Sequence, residues 1–222
     1  MMTRQEFEDA LRAVGEGHYH HLHPFNIRMN RGELSREAIR LWVANRFYYQ
    51  KNIPIKDAAI LSRCPERAVR RRWVHRITDH DGDAGEEGGI EAWVRLGKAC
   101  GLDPERLWND EELLPGARFA VDAYVNFART QPWPVAIASS LTEMFAPDIM
   151  AERLVAFAKY YTWVPEWGFD YLKSRVTQAR VDSGEALEIT LEWCNTAELQ
   201  EQAVAGLRLK CDVLWSLLDA LD

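Results

Sequence analysis

Apolar residues recur at helical spacing along nearly the whole chain. Thr3 has the position of an N-cap, with Glu6 three residues on, and predicts a first helix to about Val14. Ser35 opens a second helix in the same manner, with Ile39, Trp42, Val43, Phe47 and Ile53 on its apolar face. Pro54 falls inside that pattern and is expected to kink it. Pro65 stands near the start of a helix reaching about Asp79, and glycine-rich His80–Gly89 reads as a loop. A helix over Ile90–Ala99 stops at Gly101, and Asp103-Pro104 starts a short one. Further helices are expected over Ala117–Ala128, Pro134–Met144, Pro147–Ala158, Trp163–Arg180, Ser183–Cys194 and Thr196–Leu221. No alternating strand pattern is found, and no hairpin dipeptide joins strand-like runs. The expected fold class is all-α, a compact bundle of seven or more helices forming one domain over residues 1–222.

Composition narrows the function. Hydrophobic residues make up 47% of 222, with nine tryptophans, which is ample material for one core. The formal charge is −7, and the longest basic run, Arg70–Arg72, is one turn of an amphipathic helix. That run reads as a solvated face, so a nucleic-acid partner is not expected. The four cysteines are widely spaced and form no Cys-x-x-Cys, which suits reduced thiols in a cytoplasmic protein. No signal peptide precedes the first helix, and no run of about 18 apolar residues points to a membrane span.

The informative residues are polar groups on faces that otherwise look buried. In the last helix Lys210 falls within a stripe of Leu207, Leu214, Leu217, Leu218 and Leu221. A buried ammonium needs an anion, from the protein or from a ligand, unless the side chain snorkels out. Arg46, Tyr49 and Gln50 share one side of the second helix, and Lys56 follows Pro54. A guanidinium, a phenol and an amide on one wall suit a carboxylate-bearing, partly aromatic ligand. Tyr171 and Arg175 stand at i, i+4, Arg153 sits among Leu154, Val155 and Phe157, and Glu143 lies in the polar patch Ser139–Glu143. Each alone fits an ordinary surface residue or ion pair. Together they place five cations on the expected inner faces of four helices, where one polyanionic ligand could meet them.

Four of the six histidines lie within His18–His23. Metal ligation, acid–base work and plain loop placement all remain open for them. His80 closes a helix ahead of an acidic loop, where a C-terminal dipole contact is the plain alternative. A metal centre is not expected, because Glu-x-x-His, His-x-x-Glu and His-Glu-x-x-His are all missing. Asp81–Glu87 fails as a calcium loop, since Ala92 stands at its twelfth position. The chain also lacks a P-loop, a dinucleotide fingerprint and a Gly-x-Ser-x-Gly elbow.

The stretches Trp42–Gln50, Ile53–Ile60, Asp79–Gly82 with Gly88–Trp93, Arg118–Tyr124, Ser139–Pro147 and Leu209–Ser216 resemble, in order, the signatures of the pyrroloquinoline-quinone synthase (PqqC) family. The resemblance runs almost from end to end. It implies a heme-oxygenase-like bundle without heme, usually a homodimer. It also implies the final step of pyrroloquinoline quinone (PQQ) formation. In that step a bicyclic polycarboxylate precursor undergoes ring closure and an eight-electron oxidation. O2 is the acceptor, H2O2 is released, and no metal or flavin takes part. By resemblance, Arg46, Gln50, Lys56, Arg153 and Lys210 hold carboxylates and quinone oxygens, and Tyr19, His20, Tyr124 and Glu143 complete the substrate shell. His80 is the implied general base, while Tyr49, Tyr171 and Arg175 line the oxygen site. His20 is a further implied acid–base group.

The sequence departs from that pattern at two places. Met150 stands where the family usually carries a histidine of the oxygen site, and the chain stops at Asp222 where relatives continue, some of them into a PqqD domain. PqqD, fused or separate, is therefore an expected partner. The alternatives are a relative that binds or carries the precursor with impaired oxidation, and a metal-dependent oxidase on the same fold. Methionine cannot relay a proton, and a lost acid–base group commonly costs on the order of 10²–10⁴ in rate. Met150→His is thus expected to speed the later oxidations; aerobic turnover with peroxide detection checks this, and unchanged turnover and product would refute it.

Overall fold

The computed structural model describes residues 1–176 and 184–222, and its regular structure is helical throughout, with no strand among the described residues. The chain forms α1 (Arg4–His18), α2 (Pro24–Arg31), α3 (Arg36–Arg63), α4 (Arg67–Trp73), α5 (His75–Asp81), α6 (Gly89–Ala99) and α7 (Pro104–Trp108). It continues through α8 (Pro115–Thr130), α9 (Trp133–Ala138), α10 (Ala146–Tyr160), α11 (Asp170–Trp193) and α12 (Ala197–Asp219). Short 3-10 turns occupy His20–Leu22, Ser139–Met144 and Glu166–Phe169.

Local chemistry accounts for most ends. Thr3 and Glu6 form a reciprocal capping box on α1, and the Ser35 hydroxyl accepts from the Ala38 N–H at 3.1 Å. Asp103 caps α7 in the same way, and Thr196 caps α12. Gly101, at φ 79°, turns the chain out of α6.

Several boundaries differ from expectation. α1 runs a turn beyond Val14. α2 is an added helix, capped by the His23 ring accepting from the Phe25 N–H at 3.0 Å, with Pro24 at its first position and Gly32 closing it. The expected helix to Asp79 is two, α4 and α5, parted at Val74, and nothing in the sequence marks the break. α3 passes through Pro54 without ending. The expected Pro134–Met144 helix tightens to a 3-10 turn from Ser139, whose hydroxyl bonds back to the Ala136 carbonyl at 2.6 Å. The helix expected from Trp163 begins at Asp170 after its own 3-10 turn, and the expected junction between Arg180 and Ser183 lies outside the described residues.

α3 is the central strut, packing on α5, α6 and α8, while α12 packs on α1, α8 and α9. One core joins Trp42, Trp93, Phe157 and Tyr171, and a second joins Phe7, Leu11, Trp73, Ile137 and Leu207. Trp93 meets Trp42 edge-on at 5.3 Å and Tyr171 at 4.7 Å, and its indole N–H donates to the Val43 carbonyl. Asn45, fully buried in α3, donates to the Glu112 carbonyl and accepts from the Leu114 N–H at 2.8 Å, clasping the entry to α8. Asn45→Ala is expected to cost about 1–3 kcal/mol by leaving buried backbone groups unpaired, read as a lower urea midpoint.

Candidate active site

Seven segments converge on one interior chamber. α3 presents Arg46, Tyr49 and Ile53 along one side, as their spacing predicted. α5 adds His80, the 3-10 turn adds Thr142 and Glu143, α10 adds Met150 and Arg153, and α11 adds Tyr171 and Arg175. Tyr19 and His20 enter from the turn between α1 and α2, and leucines of α12 close the wall. Gln50, Tyr124 and Lys210 stand just behind this lining and touch it through Tyr171 and Tyr49, and Lys56 lies behind them, its Nζ 5.9 Å from the Tyr124 ring centre. The cavity is about 60 Å³, room for a few waters. A larger ligand therefore enters only as wall side chains move.

The cations in and around the chamber fall into two groups. Lys56 has its own anion: its Nζ lies 2.6 Å from Asp57 Oδ1 and 3.1 Å from the Ser140 hydroxyl. Arg76, which sequence reasoning missed, pairs with Glu143. Its signal was present, four residues before His80, but the neighbouring Arg70–Arg72 run masked it. Arg46, Arg153 and Lys210 have no carboxylate within 4.0 Å among the described residues; aromatic faces and neutral oxygens hold them instead. Lys210 Nζ sits 3.9 Å from the Tyr49 ring centre and 3.6 Å from that of Tyr124, and donates to the Tyr49 hydroxyl at 2.6 Å. Arg46 lies over Tyr49 and Trp93, and Arg153 over Trp42. Arg153 also donates to Asn26 Oδ1 at 2.9 Å and to the Met150 sulfur at 3.7 Å. Asn26, buried in the unexpected helix α2, carried no sequence signal for this role.

Burial governs the titration of these groups. It pushes Lys210 well below the usual lysine range, with Lys56 and Arg46 adding repulsion. Arg153 is pushed down to about 10 by burial. Burial, then Arg175 and Arg76, lower His80 well below 6.5; burial, then Arg153 and Arg46, do the same to His20. Both imidazoles are neutral near pH 7. The Tyr171 hydroxyl donates to Gln50 Oε1 at 2.8 Å, and Arg46 donates to the same oxygen at 3.3 Å. The Gln50 amide nitrogen therefore faces His80 and donates to Nδ1 at 2.8 Å, which places the imidazole proton on Nε2. His20 Nε2 is buried with no hydrogen-bond partner among the described residues. No three His, Cys, Asp or Glu side chains among the described residues come together in a way that could hold a metal ion. No helix, among the described residues, is long and apolar enough to cross a membrane.

The architecture is shared with known proteins. A TenA homologue from Pseudomonas syringae pv. tomato superposes with a TM-score of 0.74 at 16% identity, covering 98% of this chain and 91% of that one. A domain with a heme oxygenase-like fold from Shewanella denitrificans also gives 0.74, at 13% identity, covering 98% and 89%. The all-α fold is thus heme-oxygenase-like. The profile of the TENA/THI-4/PQQC family matches residues 8–220, and the chain belongs to that family. Within it, the pyrroloquinoline-quinone synthase of Cronobacter sakazakii is 56% identical over 221 residues, covering all of this chain and 88% of that protein.

Glu143 offers a pH test. Burial alone would raise its carboxyl, but Arg76, with Arg175 and Lys56 behind it, outweighs this and holds it at about 2, below the ordinary 4.5. The stabilisation is complete above about 4.5 and is lost as pH falls towards about 2, because the unfolded chain binds the proton first. Glu143→Gln is expected to lower the melting temperature at neutral pH and to flatten its decline across that acid window.

Proposed function

We propose that this chain is a pyrroloquinoline-quinone synthase, an oxidase that closes the ring of a bicyclic polycarboxylate and removes eight electrons with O2, releasing H2O2. The observation that carries the reading is the trio around one chamber, with Arg153 and Lys210 buried and Arg46 half-buried, none of them with a carboxylate within 4.0 Å among the described residues. Desolvated cations of this kind are costly unless a ligand brings the missing anions. Full-length identity of 56% to a named synthase supports the same substrate class.

In this reading Arg46, Arg153 and Lys210 take carboxylates and quinone oxygens, with Gln50 and Lys56 beside them, and Tyr19, His20, Tyr124 and Glu143 complete the shell. His80 removes a carbon-bound proton. It is competent because it is uncharged, and Nδ1 becomes free when Gln50 turns to the incoming ligand. The surrounding cations stabilise the resulting anion, which reduces O2 directly beside Tyr49, Tyr171 and Arg175. The substrate thus serves as its own redox centre, and neither metal nor flavin is required. Residues 1–222 act as one domain in the cytoplasm, in a homodimer, with a PqqD protein as partner.

A second reading is favoured by Met150, which faces the chamber and spends its sulfur on Arg153. Here the precursor is held and oxidised slowly or incompletely. Aerobic mixing with precursor, followed by quinone absorbance and peroxide, separates the two: turnover to the quinone supports the synthase, and bound unchanged ligand supports the carrier. Lys210→Met is expected to weaken product binding roughly 10- to 100-fold, the value of about 1.5–3 kcal/mol for a charged hydrogen bond. Tryptophan fluorescence titration measures it, and equal affinity would remove Lys210 from the site.

A further inference from the structure

Asp57 is wholly buried, yet it does not line the chamber. It follows Lys56 on α3, and neighbours in a helix ordinarily point apart. Here the Lys56 side chain folds back, so that its Nζ meets Asp57 Oδ1 at 2.6 Å. The same oxygen accepts from the Trp73 indole N–H at 2.9 Å and lies 3.7 Å from Arg76 Nε. The Trp73 ring in turn carries the Arg76 guanidinium at 4.3 Å. One carboxylate oxygen thus ties α3 to α4 and α5 and faces two buried cations.

We propose that Asp57 is a positioning residue of this site: its charge fixes Lys56 against Ser140 and holds Arg76 where it pairs with Glu143. The proposal rests on the oxidase reading of the chamber. Its physical basis is charge balance. Lys56 and Arg76 both lie within 4 Å of one oxygen in an interior where like charges repel strongly. Without Asp57, both cations bear more strongly on Glu143, which Arg76 already pairs with, and draw it away from the chamber. Arg76 also stands one helical turn before His80, so the anchor of Arg76 sets how α5 presents that imidazole.

Asp57→Asn isolates the charge. Asp57 Oδ2 has no hydrogen-bond partner among the described residues, so an amide nitrogen can occupy its place while the remaining oxygen still accepts from Trp73. The test is a double-mutant cycle in the full chain with Lys56→Gln. It is read both as aerobic turnover of the precursor and as product affinity by tryptophan fluorescence. Asp57→Asn is expected to lose roughly tenfold in turnover, and the double variant to lose clearly less than the product of the two single losses, since the Lys56 part of the effect is removed only once while the Arg76 part persists. Multiplying losses, or Asp57→Asn turnover within about twofold of wild type, would overturn the proposal. Absence of turnover in the wild type sinks the oxidase reading instead, and the cycle in product affinity then decides the role of Asp57. If Asp57→Asn does not fold, Trp73→Phe removes one hydrogen bond to the carboxylate and leaves a smaller aromatic ring in place. Reduced turnover with an unchanged helical spectrum supports the proposal, and full activity overturns it.

Discussion

The molecule is organised around positive charge taken out of water. Burying an ammonium or guanidinium costs several kcal/mol even after relaxation. Buried Lys210 and Arg153 meet that cost, and half-buried Arg46 its share of it, with aromatic faces and neutral oxygens rather than carboxylates. Cation–π contacts offset part of the desolvation, on the order of 1–2 kcal/mol each, and leave the charge uncancelled. A polyanion entering the chamber therefore finds cations with their strongest interaction still unmade.

This arrangement explains why so many aromatic rings surround the site. Tyr49 and Tyr124 lie nearly parallel, with ring centres 6.5 Å apart and Lys210 against both. Trp93 supports Arg46 on one side and the Tyr171 ring on another. Tyr171 fixes the Gln50 amide, and Gln50 fixes the His80 tautomer. The acid–base state of one histidine is thereby linked, through neutral hydrogen bonds, to the packing of a tryptophan core.

Much of this was legible before folding. Ser35 and the apolar face of α3 announced the strut, and the spacing of Arg46, Tyr49 and Gln50 put them on one wall. Lys210 stood out as an ammonium in a leucine stripe, and it is 1% exposed. Other features left no trace. The His23 cap of α2 uses a residue uncommon in that role, so α2 and its Asn26 were missed. The 3-10 turn carrying Glu143 arises from side-chain bonds to the backbone that propensity does not weigh.

The sequence by itself determined most of the helices, the capped ends of α1, α3, α7 and α12, and an inward face for cations such as Lys210, because these follow from period, propensity and burial acting over a few residues. Tertiary structure alone decided which cations are cancelled. Lys56 is neutralised by its sequence neighbour, although adjacency in a helix does not bring side chains together. Lys210 finds a phenol 161 residues away and, among the described residues, no acid within 4.0 Å. Charge compensation is a contact property, settled only when separate helices are packed against one another.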